Sequence, residues 1–451
     1  MTRATLHQEV VRRLLLTGSQ HRIERVIDKL HPADIAELFG ALSAGELRKL
    51  LDVLLATGRA GRTLRELPEA LLGDLFQQLD DDRLTLIINR LPPDDAVHLL
   101  THMPEERRVA VLERVPAGHR EDIDRLLRYE PRTAGALMTP RILALSETTT
   151  ADDAINEIRR VGEQVEEASY LYVVDAERRL RGVVPLRRLV GAPPQQTLSQ
   201  FMIEDPAAVT ARAHQEEVAK LVSKYNLLSI PVVDDDTGEL LGVITVDDVI
   251  EVIHEEATED MYRMAGLSGD ERVFSPFGKT VNKRTPWMLM NLATAFLAAS
   301  VVGLFQESIA SVVTLAVFMP VVAGMGGNMG TQTLTVITRG LALGELQFSS
   351  AVRAIVKQVG VGVSVGGIAG VVAGCIAYLW VGNPMFGAVL FLAMIVNMAI
   401  AGLTGAAIPL ALKALGQDPA LGSGVIVTTF TDVFGFLSFL GLATMFMHYL
   451  T

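Results

Sequence analysis

Polar and apolar positions follow two different rhythms along this chain. Up to about residue 285 they alternate over short distances, and beyond it come long apolar runs. Five runs approach or exceed the ~20 residues that a helix needs to cross a hydrocarbon layer. The pattern predicts spans at about 286–305, 309–338 and 420–447, with two more between Lys357 and Lys413 divided by Gly382-Asn383-Pro384. The second span is interrupted by Pro320 and by G-M-G-G-N-M-G-T-Q at 324–332. Irregular backbone is expected there, and at membrane depth it survives only where it is buried or lines a wet cavity. The third span places Gly362, Gly366, Gly370 and Gly374 four residues apart, a groove for close helix packing.

The earlier part predicts soluble structure. Residues from about 5 to 130 read as short helices, with Pro92, Pro104 and Pro116 recurring every 12 residues, each suited to a helix's first turn. Leu99, Leu100, Val111 and Leu112 supply buried stripes between them, as in a small α-solenoid. From about 133 to 255 the chain repeats itself. L-M-T-P at 137–140 answers F-M-I-E-D-P at 201–206, and L-Y-V-V-D at 171–175 answers I-P-V-V-D at 230–234. G-V-V-P-L-R-R-L-V at 182–190 answers G-V-I-T-V-D-D-V-I at 242–250. Each copy predicts helix, strand, turn, strand, helix. This repeat resembles a tandem pair of CBS domains, which implies small-ligand sensing and self-pairing. The second copy keeps Gly242, Thr245 and Asp248 of the family's adenine-nucleotide pattern, so Thr245 and Asp248 are the expected ATP contacts. The first copy has Pro185 and Arg188 there, and arginine cannot accept a bond from a ribose hydroxyl.

A helix is expected from Asp248 to Met264. It sets Glu251, Glu255 and Glu259 on one face, with Glu256 and Asp260 beside them. Like charges at that spacing each cost ~0.2–0.5 kcal/mol. Either this is a solvated acidic face, or a divalent cation bridges it to another domain.

Charge sharpens the division. The net charge of −12 lies wholly before Pro286, since four acids and four bases follow it. An acidic first part argues against nucleic acid as a partner and permits cation binding. Cys375 is the single cysteine, so there is neither a disulfide framework nor a thiolate metal site. Met1 leads into a polar segment without a cleavable signal, which predicts that the first part stays in the cytoplasm. Lys279, Lys283 and Arg284, then Arg339, Arg353 and Lys357, then Lys413 fall on one side of the five spans. The N-terminus is therefore expected inside and the C-terminus outside. His98, His102 and His119 read as surface residues.

Asp432 is the one charge within the last apolar run. A carboxylate at that depth costs ~3 kcal/mol on insertion scales, so it should face a bundle interior or a watery path. On a helix, Gly424, Thr428 and Gly435 share its face, with Thr431 beside it, an oxygen-rich lining that suits a hard cation. The plainer alternative is a hydrogen bond to a neighbouring helix. Gly326-Gly327-Asn328 is a second polar element at that depth, with glycine carbonyls and the side-chain oxygens of Asn328, Thr331 and Gln332. Together they read as a hydrated-cation path.

A helical N-domain, CBS pair, acidic helix and five spans in this order resemble the MgtE family of Mg2+ channels. The carrying motifs are A-T-E-D at 257–260, P-V-V-A-G-M-G-G-N-M-G-T-Q at 320–332 and T-D-V-F-G at 431–435. The resemblance implies a multi-pass homodimer of the bacterial inner membrane with a pore between the chains, where Asp432 selects hydrated Mg2+. It also implies that cytosolic Mg2+ among the acidic domains holds the gate shut, with the acidic helix as plug. The expected domains are 1–132 helical, 133–250 CBS, 251–280 plug and 281–451 pore. Gly424 and Thr331 stand where some members have asparagine, and His98, His214 and Asn226 where sensor carboxylates are expected. Asp94, Asp95, Glu216, Asp248, Glu251, Glu255, Glu256, Glu259 and Asp260 remain as candidate ligands.

Mg2+ dehydrates reluctantly and needs few direct ligands. Zn2+ usually recruits His or Cys, and the second part has no histidine before His448; Co2+ or Mn2+ is the nearer rival. A membrane-anchored sensor that transports nothing would not need polar groups at mid-membrane. No nucleophile–base pair or phosphate loop points to an enzyme.

Overall fold

The computed structural model describes residues 3–17, 20–161, 169–269, 271, 273 and 275–451. It divides into two compact units, Met1–His254 and Glu255–Thr451.

The first unit opens with short helices from Arg3 to Leu126, among them α1 (Ala60–Arg65) and α2 (Pro93–Thr101). Pro92, Pro104 and Pro116 stand one residue before the first turn, at the N-caps. Their fixed φ with an extended ψ ends the preceding turn, and the missing N–H is no loss at a helix start.

The repeat follows. Its first copy runs β1 (Ala144–Ser146), α3 (Ala151–Val161), β2 (Tyr170–Val174), β3 (Leu180–Pro185), α4 (Leu186–Val190) and β4 (Ile203–Glu204). The second runs β5 (Val209–Thr210), α5 (Gln215–Tyr225), β6 (Ser229–Val233), β7 (Leu240–Thr245) and α6 (Val246–Met264). In each copy a parallel pair feeds an antiparallel hairpin, β1-β2-β3 and β5-β6-β7. Both hairpins carry a register irregularity at the matching place, Val173/Val174 and Val232/Val233. The copies interlock: the Tyr172 hydroxyl lies 2.7 Å from Ser229 Oγ, and Thr139 bridges Val243.

The second unit holds α7 (Phe277–Gly303), α8 (Thr314–Ala342), α9 (Ala351–Val381), α10 (Pro384–Ala414) and α11 (Ser423–Met445). Among the described residues, four helical segments are long and apolar enough to cross a membrane: Phe277–Gly303, Phe348–Val381, Pro384–Ala414 and Ser423–Met445. Five were expected. Helix α8 is long enough at 29 residues, but its glycines, Asn328, threonines and Gln332 dilute its apolar content.

Two expectations about proline fail. Pro286 was expected to open the first span, yet α7 begins at Phe277 and runs through it. Pro320 and the glycines were expected to break α8, which is instead continuous. Each proline forgoes one intrahelical bond, and in α8 the buried face packed on α10 and α11 can outweigh that loss.

Glycine sets the packing of α9 on α10. A Cβ on Gly362, Gly366 or Gly374 would stand 2.3 Å from the Met398 carbonyl oxygen, 2.9 Å from Ile395 Cα or 2.7 Å from the Gly387 carbonyl oxygen. Bare Cα atoms let the backbones touch. The turn between these helices is written by Gly382-Asn383-Pro384. Gly382 ends α9 at φ +76°, Asn383 Oδ1 caps the Met385 N–H at 2.9 Å, and Pro384 opens α10.

Candidate ion pathway and its acidic controls

Helices α8 and α11 pack against each other through Gly330, where a Cβ would stand 2.6 Å from Val427 and 3.5 Å from the Thr431 methyl. Beside that contact, Asp432 and Thr428 are half-buried, and Asn328, Thr331, Gln332 and Thr335 are exposed on α8. A Cβ on Gly327 would meet nothing within 4 Å, so its face is open. The threonine hydroxyls point their protons back into their own helices. Thr331 Oγ1 donates to the Gly327 carbonyl at 2.9 Å and Thr335 Oγ1 to the Thr331 carbonyl at 2.9 Å. Thr428 Oγ1 lies 3.0 Å from the carbonyls of Gly424 and Val425. A hydroxyl whose proton is committed offers only lone pairs outward. Such a face, with the Asp432 carboxylate, is able to accept hydrogen bonds from water.

Gly424 is placed differently from expectation. A Cβ there would lie 2.5 Å from the Met264 carbonyl oxygen, so its bare Cα receives the end of α6. The C-terminal carbonyls of α6 thus meet the N-terminal turn of α11, a favourable pairing of helix dipoles. Arg263 fastens the same junction by pairing with Glu259 on α6 and with Asp418 before α11. Burial opposes the Arg263 charge, but the Asp418 hydrogen bond and the Glu259 charge outweigh it and raise its pKa. Of the other acids on α6, Glu255 is exposed and Glu256 and Asp260 are half-buried, while Glu259 is buried.

In the first unit Asp95 on α2, Asp248 on α6 and Glu251 do converge, and a guanidinium stands between them. Arg65 at the end of α1 lies 2.5 Å from Asp95, 3.8 Å from Glu251 and in direct contact with Asp248. Thr245 Oγ1 donates to the other Asp248 oxygen at 2.6 Å. Both oxygens of the expected ribose acceptor are therefore engaged. Burial pushes the Asp95 carboxyl up to about 6, with Arg65 pulling it down and Asp248 and Asp247 repelling it. Burial disfavours the Arg65 charge, but the three carboxylates hold its pKa above the ordinary arginine value.

Asp94 is half-buried beside Asp95, while Glu216 lies apart and pairs with Lys220 at 2.6 Å. Among the described residues no three acid, histidine or cysteine side chains form a ready metal cage. As placed, the acids around Arg65 fit a guanidinium and not a divalent ion. His214 and Asn226 turn out to be helix caps. His214 Nδ1 accepts the Glu216 N–H at 3.3 Å to open α5, and Asn226 ends it at φ +51°. His98 packs on His102 with ring centroids 5.0 Å apart.

Reading the sequence missed Arg65, Arg263 with Asp418, and Asn397. The last is the one asparagine inside α10 and is 1% exposed. A lone carboxamide in an apolar run was the available signal.

Family models match three stretches of the chain. These are MgtE, a divalent cation transporter, over 319–442; the MgtE intracellular N domain over 30–132; and CBS domains over 134–194 and 198–255. The magnesium transporter MgtE of Bacillus subtilis is 31% identical over 438 residues, 96% of each chain. That of Thermus thermophilus is 32% identical over 96% of this chain and 97% of its own. The crystal structure of the cytosolic domain of the Mg2+ channel MgtE in complex with ATP is 31% identical, with a TM-score of 0.51 over 54% of this chain and 99% of that one. With both the sequence match and the domain order spanning nearly its whole length, the chain belongs to the MgtE family.

Proposed function

We propose that this protein carries Mg2+ across the bacterial inner membrane, with a cytoplasmic N-terminus and α8 as a fifth span. The observation that carries this reading is the oxygen-rich face of α8 and α11 around Asp432, where threonine hydroxyls with committed protons stand beside a carboxylate. Hydrated Mg2+ turns water hydrogens outward, and outward-facing lone pairs are what such a shell needs. The relatives named magnesium transporters support the choice of ion.

A polar strip at membrane depth has to be covered, because lipid satisfies no hydrogen bond. A second copy facing the same strip across a water-filled pore covers it and doubles the carboxylate charge, so the reading includes a homodimer. Residues 1–132, 133–250, 251–280 and 281–451 are assigned as N-domain, CBS pair, plug and pore. Control by cytosolic Mg2+ belongs to the same reading, with the α6 acids as its sensor and Arg65 and Arg263 as tethered cations that the ion has to displace. ATP is left out of it. Arg188 cannot serve as a ribose acceptor, and Asp248 is held by Arg65 and Thr245.

The test is Mg2+ influx into proteoliposomes. Asp432→Ala should keep its assembly state and lose flux by about tenfold or more, since the main charge at the pathway is gone. Parent-like flux in that variant would overturn the reading.

A further inference from the structure

Asn397 sits where α8, α10 and α11 meet. Its Nδ2 donates to the Val322 carbonyl of α8 at 2.7 Å. The carboxamide is wedged between glycines of the two neighbouring helices. A Cβ on Gly326 of α8 would stand 2.3 Å from Nδ2, and one on Gly435 of α11 would stand 2.8 Å from it. Gly326 adjoins Gly327-Asn328, and Gly435 lies one turn past Asp432. One side chain thus touches both helices at the level of the acceptor face, from behind it. Its Oδ1 is buried and, among the described residues, has no hydrogen-bond partner.

Filling space does not explain this residue. A leucine has nearly the same branched shape and carries no polar atom, whereas a buried carbonyl oxygen without a partner costs about 1–3 kcal/mol. What leucine cannot do is grip Val322. That grip holds the rotation of α8 about its axis, while the amide plane, one turn from the direct contact at Gly330, holds its distance from α11 at this level. Rotation and distance together determine how far Asp432 stands from Gly327, Asn328 and Thr331.

We propose that Asn397 is a positioning residue of the ion pathway that sets the spacing of α8 and α11 and thereby which hydrated divalent cation passes. The inference rests on the transport reading above. Divalent ions of equal charge differ in the size and rigidity of their water shells, so a fixed gap between two acceptor faces discriminates among them.

The experiment measures Mg2+ and Ca2+ influx in proteoliposomes of the full-length protein. The variants are Asn397→Ala, Asn397→Leu and the size swap Asn397→Ala with Gly435→Ala. The swap returns a methyl to the space the carboxamide leaves, so its melting temperature should recover relative to Asn397→Ala. Its Mg2+/Ca2+ flux ratio should nevertheless remain changed by about threefold or more, because nothing holds Val322. A swap that restores the ratio along with stability would reduce Asn397 to a space-filler and overturn the proposal. An unchanged ratio in Asn397→Ala would overturn it as well. The parent and Asp432→Ala run alongside: a parent that carries no Mg2+ sinks the transport reading itself, whereas failure of Asn397 alone leaves it standing.

Discussion

Asp95 in the first unit and Asn397 in the second are both polar side chains kept from water, at 8% and 1% exposure. Around Asp95 the remedy is chemical. A guanidinium from another helix enters, and its charge binds three acids that would otherwise repel. Around Asn397 the remedy is geometric. Two helices bring bare glycines against the amide, and a single carbonyl takes its proton. The first arrangement tolerates shifts of an ångström, because Coulomb attraction falls slowly with distance. The second tolerates almost none, because repulsion between packed atoms rises steeply. On the proposed reading, the charge-built site is suited to control and the close-packed one to holding the ion pathway to size.

The largest effect should come from breaking the geometric side. Gly326→Val places a Cβ 2.3 Å from Asn397 Nδ2 and adds two methyls beyond it. Overpacking typically costs about 1–3 kcal/mol, and with a Cβ this close and two methyls beyond it Gly326→Val should exceed that range. Thermal melts in detergent should show a lowered transition or no folded protein. Normal melting would mean that α8 can move freely away from α10, and the contrast between the units would collapse.

Breaking the chemical side should cost less overall while changing the response to Mg2+. In Arg65→Gln, Asp95, Asp248 and Glu251 lose their shared counter-charge. Removing one partner of a buried pair costs about 3–5 kcal/mol, and the partial exposure of Arg65 reduces this to roughly 2–3 kcal/mol. Without added Mg2+ the first unit should become more open to protease. Millimolar Mg2+ should restore protection more fully than in the parent, the dication taking over the role of the arginine. Protection that is unchanged without Mg2+ would show that Arg65 does not hold this joint.

These two sites also mark what could be read from the sequence. The repeat was legible because its three blocks return in order, and the helices of the second unit because apolar runs between Gly382-Asn383-Pro384 and the basic residues leave few alternatives. The Gly362–Gly374 groove was legible from its period of four. Arg65 was not, since its partner Asp248 lies 183 residues away and no local spacing records such a pair. Arg263 and Asp418, separated by 155 residues, escaped for the same reason. Counting charges in the spans found Asp432 and passed over the neutral Asn397. Propensity alone broke α8 at Pro320 and its glycines, where contacts with α10 and α11 keep it whole.

A smaller effect follows from the Asp95 carboxyl, whose pKa of about 6 lies above that of an unfolded aspartate. Between about pH 6 and pH 4 the folded protein binds this proton and the unfolded chain does not, so this group adds stability as pH falls through that window. Above pH 6 its contribution is unfavourable and constant. Asp95→Asn should therefore flatten the pH dependence of unfolding, and above pH 6 it should be no less stable than the parent. A parent that gains stability steadily from pH 4 to pH 6, with Asp95→Asn losing that gain, would reverse the sign and show that Arg65 more than offsets the burial of this acid.

The smallest effects belong to the caps, and they separate a sensor residue from a structural one. His214 opens α5 by accepting the Glu216 N–H, and Asn226 closes it in the left-handed conformation. His214→Asp supplies a better cap and should stabilise the helix by some tenths of a kcal/mol up to about 1 kcal/mol. Asn226→Gly should shift stability by only a few tenths, because both residues adopt that conformation with little strain. If capping is their whole role, the Mg2+ midpoint for protease protection stays where it is in Asn226→Gly and in His214→Asp. If the histidine stands where a sensor carboxylate would serve, His214→Asp lowers that midpoint by far more than its gain in stability accounts for. An aspartate ~6 Å from a dication is worth about tenfold in affinity before screening. A midpoint that moves only as the melting temperature does assigns His214 to α5 alone and leaves Mg2+ sensing to the acids of α6.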